Sequence, residues 1–291
     1  MTYSIPRPGR RLLAPVLLAA AGCAWSAPVP PLPTVSAEYS ISVYANVPEP
    51  MKLSFAPDGS LYVGRQGGDR IHRVGPGGSP VAEYGPPMVD PDAVLVDQNG
   101  HIGGRPRSVL VGGGGVLAAI FPNQSASVVF RGDFDVDDMK FDRHGRLIFS
   151  DDEPRVLVSS GGPPTVLFTT PSRPGSLAID MRNRIYVALG DGTIRIYNPD
   201  GSLANSAFAT GLAGLDTYLA FAPASDRSNL YVLNGTTLLR FDRNGQVRTV
   251  GTGFVPGPSS GTGFVFGPGH ALYVSDYYAN RILRIAPRTH P

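Results

Sequence analysis

The sequence predicts an all-β chain folded as one six-bladed β-propeller, with four antiparallel strands in each blade. Three observations carry this expectation. First, one unit returns six times: an apolar strand, a tight turn and a second strand. Second, the centres of the second strands fall at Tyr62, Leu110, Ile148, Tyr186, Tyr231 and Tyr273, with gaps of 48, 38, 38, 45 and 42 residues. Periods of that size belong to propeller blades or solenoid repeats. Third, the last copy is one strand short, while a spare strand precedes the first copy.

The copies run in order. Blade one reads KLSFAPDGSLYVGR (52–65), then RIHRV (70–74) and PVAEY (80–84). Blade two is irregular: AVLVDQNG (93–100), an insertion over 98–107, SVLVGGG (108–114), GVLAAIF (115–121) and SVVF (127–130). Blade three reads MKFDRHGRLIFSDD (139–152), RVLVSS (155–160) and PTVLF (164–168). Blade four reads LAIDMRNRIYVALG (177–190), and TIRIYN (193–198) carries it outward. Blade five reads LAFAPASDRSNLYVL (219–233), TTLLRFD (236–242) and QVRTVG (246–251). Blade six reads FVFGPGHALYVSDY (264–277) and RILRIAP (281–287), and its fourth strand is expected from YSISVYANV (39–47). These segments are short, rich in β-branched and aromatic residues, and bounded by turn residues. No stretch keeps a helical period, which rules out an α-solenoid. The borrowed strand would close the ring and remove an exposed sheet edge. The recurring Tyr62, Tyr186, Tyr231 and Tyr273 lie mid-strand, where packing between blades explains them.

Residues 1–24 have the layout of a secretory signal peptide: Arg7, Arg10 and Arg11, the apolar run 12–21, then small residues. The run is shorter than the ~20 residues a membrane-spanning helix needs. Cys23, the one cysteine, follows Ala20-Ala21-Gly22. Two readings stay open: a bacterial lipobox in which Cys23 is lipidated, or an ordinary leader that contains a cysteine. Residues 25–37, with PVPPLP at 28–33, read as a stiff linker, and the propeller takes 38–291. The expected protein is therefore exported: periplasmic, extracellular or lipid-anchored at the cell envelope.

Charge narrows the partners. Net charge is +2, but the leader holds three arginines and no acid. Without it, 22 basic residues face 23 acidic ones, about −1. Nucleic-acid binding needs a basic face, and none is indicated. No paired histidine spacing suggests zinc. No GxSxG elbow offers a serine nucleophile. Gly112–Gly115 lacks the Lys-Ser/Thr of a phosphate loop and reads as a turn. A monomer is expected.

Propeller geometry places candidate residues. The start of each first strand and the end of each second strand share the rim at the channel mouth. First-strand starts give Met51, Lys52, Asp92, Asp137, Asp138, Ser176, Tyr218 and Thr262; second-strand ends give Arg65, Asp151, Asp152 and Asp276. Converging carboxylates suit Ca²⁺ or another divalent metal, with Asp92 and Asp138 as ligands. They also raise one another's pKa and suit acid–base work. The competing reading is structural, since aspartates at strand ends cap turns. It is the stronger one for Asp276, which belongs to the repeat pattern.

The last blade, GHALYVSDYYANRILRI (269–285), resembles the NHL repeat, and GSLYVGRQGGDRIHRV (59–74) in blade one is similar. The chain also resembles the senescence-marker/gluconolactonase propellers. That resemblance implies a divalent metal held by a first-blade Glu, later-blade Asn residues and an Asp. Here Met51 takes the first-blade position, Glu49 lies two residues early, and no Asn stands at the mouth of blades three or four. The histidine ligands of the related lyases are likewise not visible. The sequence thus favours an exported binding module for an unidentified protein or small molecule. The alternative is a metal-dependent hydrolase or lactonase with its site at the channel mouth.

Overall fold

The computed structural model describes residues 30–223, 229–242, 246–258 and 261–288. Residues 1–24, read above as a leader, and with them Cys23, lie outside the described residues. Strands β1 (Thr34–Val35) and β2 (Tyr39–Asn46) precede the blades. Blade one holds β3 (Pro50–Phe55), β4 (Leu61–Arg65), β5 (Ile71–Val74) and β6 (Val81–Tyr84). Blade two holds β7 (Ala93–Asp97), β8 (Ser108–Gly113), β9 (Val116–Ile120) and β10 (Ala126–Arg131). Blade three holds β11 (Asp138–Phe141), β12 (Leu147–Ser150), β13 (Arg155–Ser159) and β14 (Thr165–Thr169). Blade four holds β15 (Pro174–Ile179), β16 (Ile185–Leu189), β17 (Ile194–Tyr197) and β18 (Leu203–Ala209). Blade five holds β19 (Thr217–Phe221), β20 (Leu230–Asn234), β21 (Thr237–Phe241) and β22 (Val247–Thr252). Blade six holds β23 (Phe264–Phe266), β24 (Leu272–Asp276) and β25 (Arg281–Pro287).

Every blade pairs antiparallel in chain order, and β2 completes blade six beside β25. The expected six-bladed propeller with a borrowed closing strand is therefore present. The closing ladder matches Tyr39 with Pro287, Ile41 with Ile285 and Asn46 with Arg281, with a bulge between Val43 and Ala45. Blade five gains a fifth strand that the sequence reading did not foresee. Thr34 and Val35, within the stretch read as linker, pair with Thr252 and Gly251 of β22.

Alternation along each strand puts every second side chain between neighbouring blades. Six apolar clusters result, one at each blade junction. The recurring tyrosines fill these junctions edge-on against the next blade. Tyr186 meets Phe221 at 4.9 Å between centroids, Tyr231 meets Phe266 at 5.0 Å, and Tyr273 meets Phe55 at 4.6 Å. The hairpins use one device repeatedly. Asp142 Oδ1 accepts from the His144 and Arg146 N–H groups, while Oδ2 accepts from Arg146 Nε at 2.7 Å. Asp180 does the same for Arg182 and Arg184. These aspartates fix turns by satisfying backbone donors.

A chain starting at Pro48 lacks β2. It is expected to lose its single cooperative unfolding transition and to associate through the bared edge of β25. Urea unfolding and size-exclusion chromatography check this; a monomer with the full-length midpoint would refute it. Within the same seam, Ile282 is fully buried, and Ile282→Ala should lower stability by ~2–5 kcal/mol.

Candidate active site at the channel mouth

The six first strands line the channel, where a cavity of about 70 Å³ is walled partly by Lys52, Asp138, Lys140, Ser176 and Thr262. Ligand pockets run to ~300 Å³ or more. A small molecule would therefore sit over the rim, with the channel residues forming its floor.

Asp138 is wholly engaged. Its Oδ1 accepts from Met139 N–H (2.9 Å) and Lys140 Nζ (2.5 Å). Its Oδ2 accepts from Leu177 N–H (2.9 Å) and Ser176 Oγ (3.2 Å). Ser176 Oγ in turn accepts from Leu219 N–H at 3.1 Å. Burial alone would raise this carboxyl, but Lys140, Lys52 and the Leu177 N–H outweigh it and hold it below the usual range. Asp138 thus braces blades three, four and five.

Asp92 is the opposite case. It ends the loop leading into β7, and that loop lies against blade one: Lys52 N–H donates to Asp92 O (3.2 Å) and Arg65 N–H to Pro91 O (2.9 Å). The approach requires Gly64, where a Cβ would stand 1.8 Å from Asp92 O. The side chain is pressed into the rim, and Oδ1 is buried with no hydrogen-bond partner. Burial, then Asp90 and Asp135, push its pKa up to about 8 against the opposing charge of Lys52. Asp137 is raised to about 6 by burial, although Arg173 grips it with two bonds, Nη2 to Oδ1 at 2.7 Å and Nε to Oδ2 at 3.2 Å. Arg173 also pairs with Asp152.

Lys52 is buried, and its Nζ lies 5.3 Å from the centre of the Tyr218 ring. Burial depresses its pKa, while Asp138 and Asp137 pull the other way. Tyr218 Oη is buried beside Thr262 without a well-aligned hydrogen bond, and burial pushes the phenol up to about 12. Thr262 Oγ1 is occupied by the Gly257 N–H at 2.7 Å. The mouth therefore joins a high-pKa acid, a buried cation and a buried phenol.

The remaining candidates serve the blades. Asp151 and Asp276 each bind the arginine that opens the third strand, Arg155 and Arg281, through contacts of 2.7 Å. In blade one Arg65 stands where the aspartate would be, and it meets Glu49 at 3.5 Å. Sequence reasoning missed Asp90, Asp135, Lys140 and Arg173. A signal existed: Asp-x-Asp precedes the first strand in both blades two and three, at 90–92 and 135–137.

A divalent ion wants several uncommitted oxygen donors. Asp138 has none to spare, and the ammonium groups of Lys52 and Lys140 act on it directly. Among the described residues no three His, Cys, Asp or Glu side chains gather as a ligand set. Asp138 is therefore occupied within the fold, whereas Asp92 Oδ1 has no hydrogen-bond partner.

No protein-family model matches the sequence, and no curated protein matches it. Solved structures do. A gluconolactonase from Xanthomonas campestris superposes with a TM-score of 0.68 at 16% identity, covering 88% of this chain and 95% of that one. The PQQ-bound aldose sugar dehydrogenase of Streptomyces coelicolor gives 0.64 at 15% identity, covering 88% and 100%. A streptogramin B lyase gives 0.61 at 10% identity, covering 86% and 98%. These proteins and this chain share the six-bladed β-propeller fold. The identities are low, so the likeness is one of fold.

The raised pKa of Asp92 has a signed consequence. The folded chain holds this proton more tightly than the unfolded chain does, so stability falls as pH rises from about 4 to about 8. Asp92→Asn removes that loss. Its stability relative to wild type should climb with pH, by up to ~1.4 kcal/mol per unit. Urea midpoints at pH 5 and pH 8 check this; a constant difference would show that Asp92 titrates normally.

Proposed function

We propose that the chain is a small-molecule enzyme of the lactonase kind, acting by acid–base chemistry at the channel mouth without a divalent metal. The observation that carries this reading is the buried, unpartnered Asp92 Oδ1 on the rim, with its pKa close to ambient pH. A group so poised both takes and returns a proton efficiently. The shared fold with a gluconolactonase supports the substrate class. In the proposed reaction Asp92 takes a proton from water, whose oxygen bonds to the lactone carbonyl carbon. Lys52 faces the negative charge that develops on the carbonyl oxygen. The ring C–O bond then breaks, and Asp92 returns the proton to the leaving alkoxide. The binding-module reading supplies no reason to hold an acid with an unbonded, buried oxygen on the rim.

Hydrolysis of a panel of γ- and δ-lactones, followed by pH-stat, tests the proposal. Turnover should survive EDTA and rise through about pH 8. Asp92→Asn should lower kcat by ~10²–10⁴ while leaving the circular dichroism unchanged. No turnover on the panel, or an unaffected Asp92→Asn, would return the chain to the binding modules.

Export belongs to the same proposal, supported by the leader-like residues 1–24. Among the described residues no helix is long and apolar enough to cross a membrane. Mass spectrometry of the mature N-terminus checks it. A start near residue 25 is expected of ordinary cleavage and an acylated Cys23 of a lipoprotein, whereas an intact Met1 would refute export.

A further inference from the structure

The blade junctions follow one rule, and four of the six plugs are phenyl rings. The last or next-to-last residue of each first strand plugs the junction against the second strand of the blade before it. Phe141 packs in the cluster of Leu110, Ile179 in that of Ile148, and Phe221, Phe266 and Phe55 against their tyrosines. Between blades one and two the plug is Val96, and its partner is Tyr62. Like Ile179, Val96 is aliphatic, and it is the smallest of the six plugs. Beside it a groove of about 450 Å³ opens on the hairpin-turn side of the ring, away from the channel mouth. That volume suits a small organic ligand.

The groove is lined by Tyr62, Tyr84, Arg73, Val96, Gln98 and Arg107. Its back is aromatic, with Tyr62 and Tyr84 edge-on at 5.0 Å. Its entrance carries two arginines, Arg73 and Arg107, and one carboxylate, Asp58. Arg73 is shared with Asp58 (3.6 Å) and Ser60 (2.8 Å), while Arg107 makes no ion pair among the described residues. The segment that presents Arg107 is the blade-two insertion, and it is rigidly built. The carboxylate of Asp97, only 1% exposed, accepts four N–H groups, from Gly100, His101, Ile102 and Gly103. Ile102 is buried in the junction with blade three. Arg105 lies over the Phe121 ring at 4.5 Å. Arg107 N–H donates to Gln98 O at 3.2 Å, and Arg107 itself holds a left-handed backbone, φ 62°. Few residues with large side chains take that conformation. Ordering before binding is what gives a small site its affinity.

We propose that this groove is a second ligand site, for a small aromatic anion whose ring packs beside Val96 and whose carboxylate or phosphate meets Arg107. The ring would lie against Tyr62 and Tyr84, and Gln98 would supply a further hydrogen bond at the entrance. The site does not depend on the chemistry at the channel mouth.

Calorimetry and ¹H–¹⁵N NMR on the full chain test it, with benzoate and phenyl phosphate as probes. Benzyl alcohol supplies a ring without charge, and inorganic phosphate supplies charge without a ring. Both aromatic anions should bind one to one and shift the amides of residues 98–107, and both controls should bind at least tenfold more weakly. Arg107→Glu should weaken the anions about tenfold or more. Val96→Phe supplies the phenyl plug found at other junctions and should abolish binding with no loss of thermal stability. Asp92→Asn should bind as wild type does. Absence of saturable binding, phosphate binding as well as its phenyl ester, or equal affinity in Arg107→Glu would each overturn the proposal. Should Val96→Phe fail to fold, the charge reversal and the two control ligands still decide it.

Discussion

The β2–β25 ladder joins Tyr39 to Pro287 and Asn46 to Arg281, nearly the two ends of the described chain. The only cysteine is Cys23, so no disulfide within the chain can clasp the ring. Closure rests on strand pairing and on the apolar seams flanking it, where Leu283 and Ile285 face blade five while Ile282 and Ala286 face blade one. Loop-closure entropy grows only slowly with length, so one ladder suffices to hold the ends together. Once closed, the ring presents six inner strands to a single narrow channel. Residues far apart in sequence, such as Lys52, Asp138 and Thr262, meet there for that reason alone.

The same geometry creates a difficulty that shapes the mouth. Each first strand has one edge without a neighbouring strand, and its buried N–H groups need partners. Side chains from the preceding blade answer some of them. Ser54 Oγ accepts from Val96 N–H at 2.9 Å, Asp138 Oδ2 from Leu177 N–H, and Ser176 Oγ from Leu219 N–H. Polar residues in the channel are thus consumed by the architecture before any ligand arrives. This is why Asp138 braces the ring, while Asp92, held on a loop rather than a strand, keeps an uncommitted oxygen.

The fold was legible because it is written in local repetition: strand length, turn residues and spacing recur six times, and a single short blade predicts a borrowed strand. Blade topology also assigned Lys52, Asp92, Asp137, Asp138, Ser176, Tyr218 and Thr262 to one rim, as the starts of the first strands. Their roles were not legible, because those depend on contacts between blades. Nothing near Asp138 in sequence announces Ser176 and Leu177, and nothing near Asp92 announces that Gly64 will let its carbonyl close in. Lys140 was the most readable omission, since two residues along a strand return to the same face. Arg173 was not readable, as it reaches Asp137 from the next blade.

Blade two gathers most of the departures from the repeat. Its first strand is preceded by the loop that buries Asp92, the plug position is Val96, and the hairpin carries the insertion that ends in Arg107. In a repeat protein each copy is free to match its neighbours, and matching gives the best-packed junction. A copy that keeps a buried acid, leaves a junction underfilled and orders an exposed arginine forgoes packing in three places at once. Violations of local rules concentrate where a protein works. Blade two satisfies that expectation on both faces of the ring. The acid lies on the channel side and the groove on the hairpin side, with β7 (Ala93–Asp97) joining Asp92 to Gln98. One strand therefore runs between the two sites.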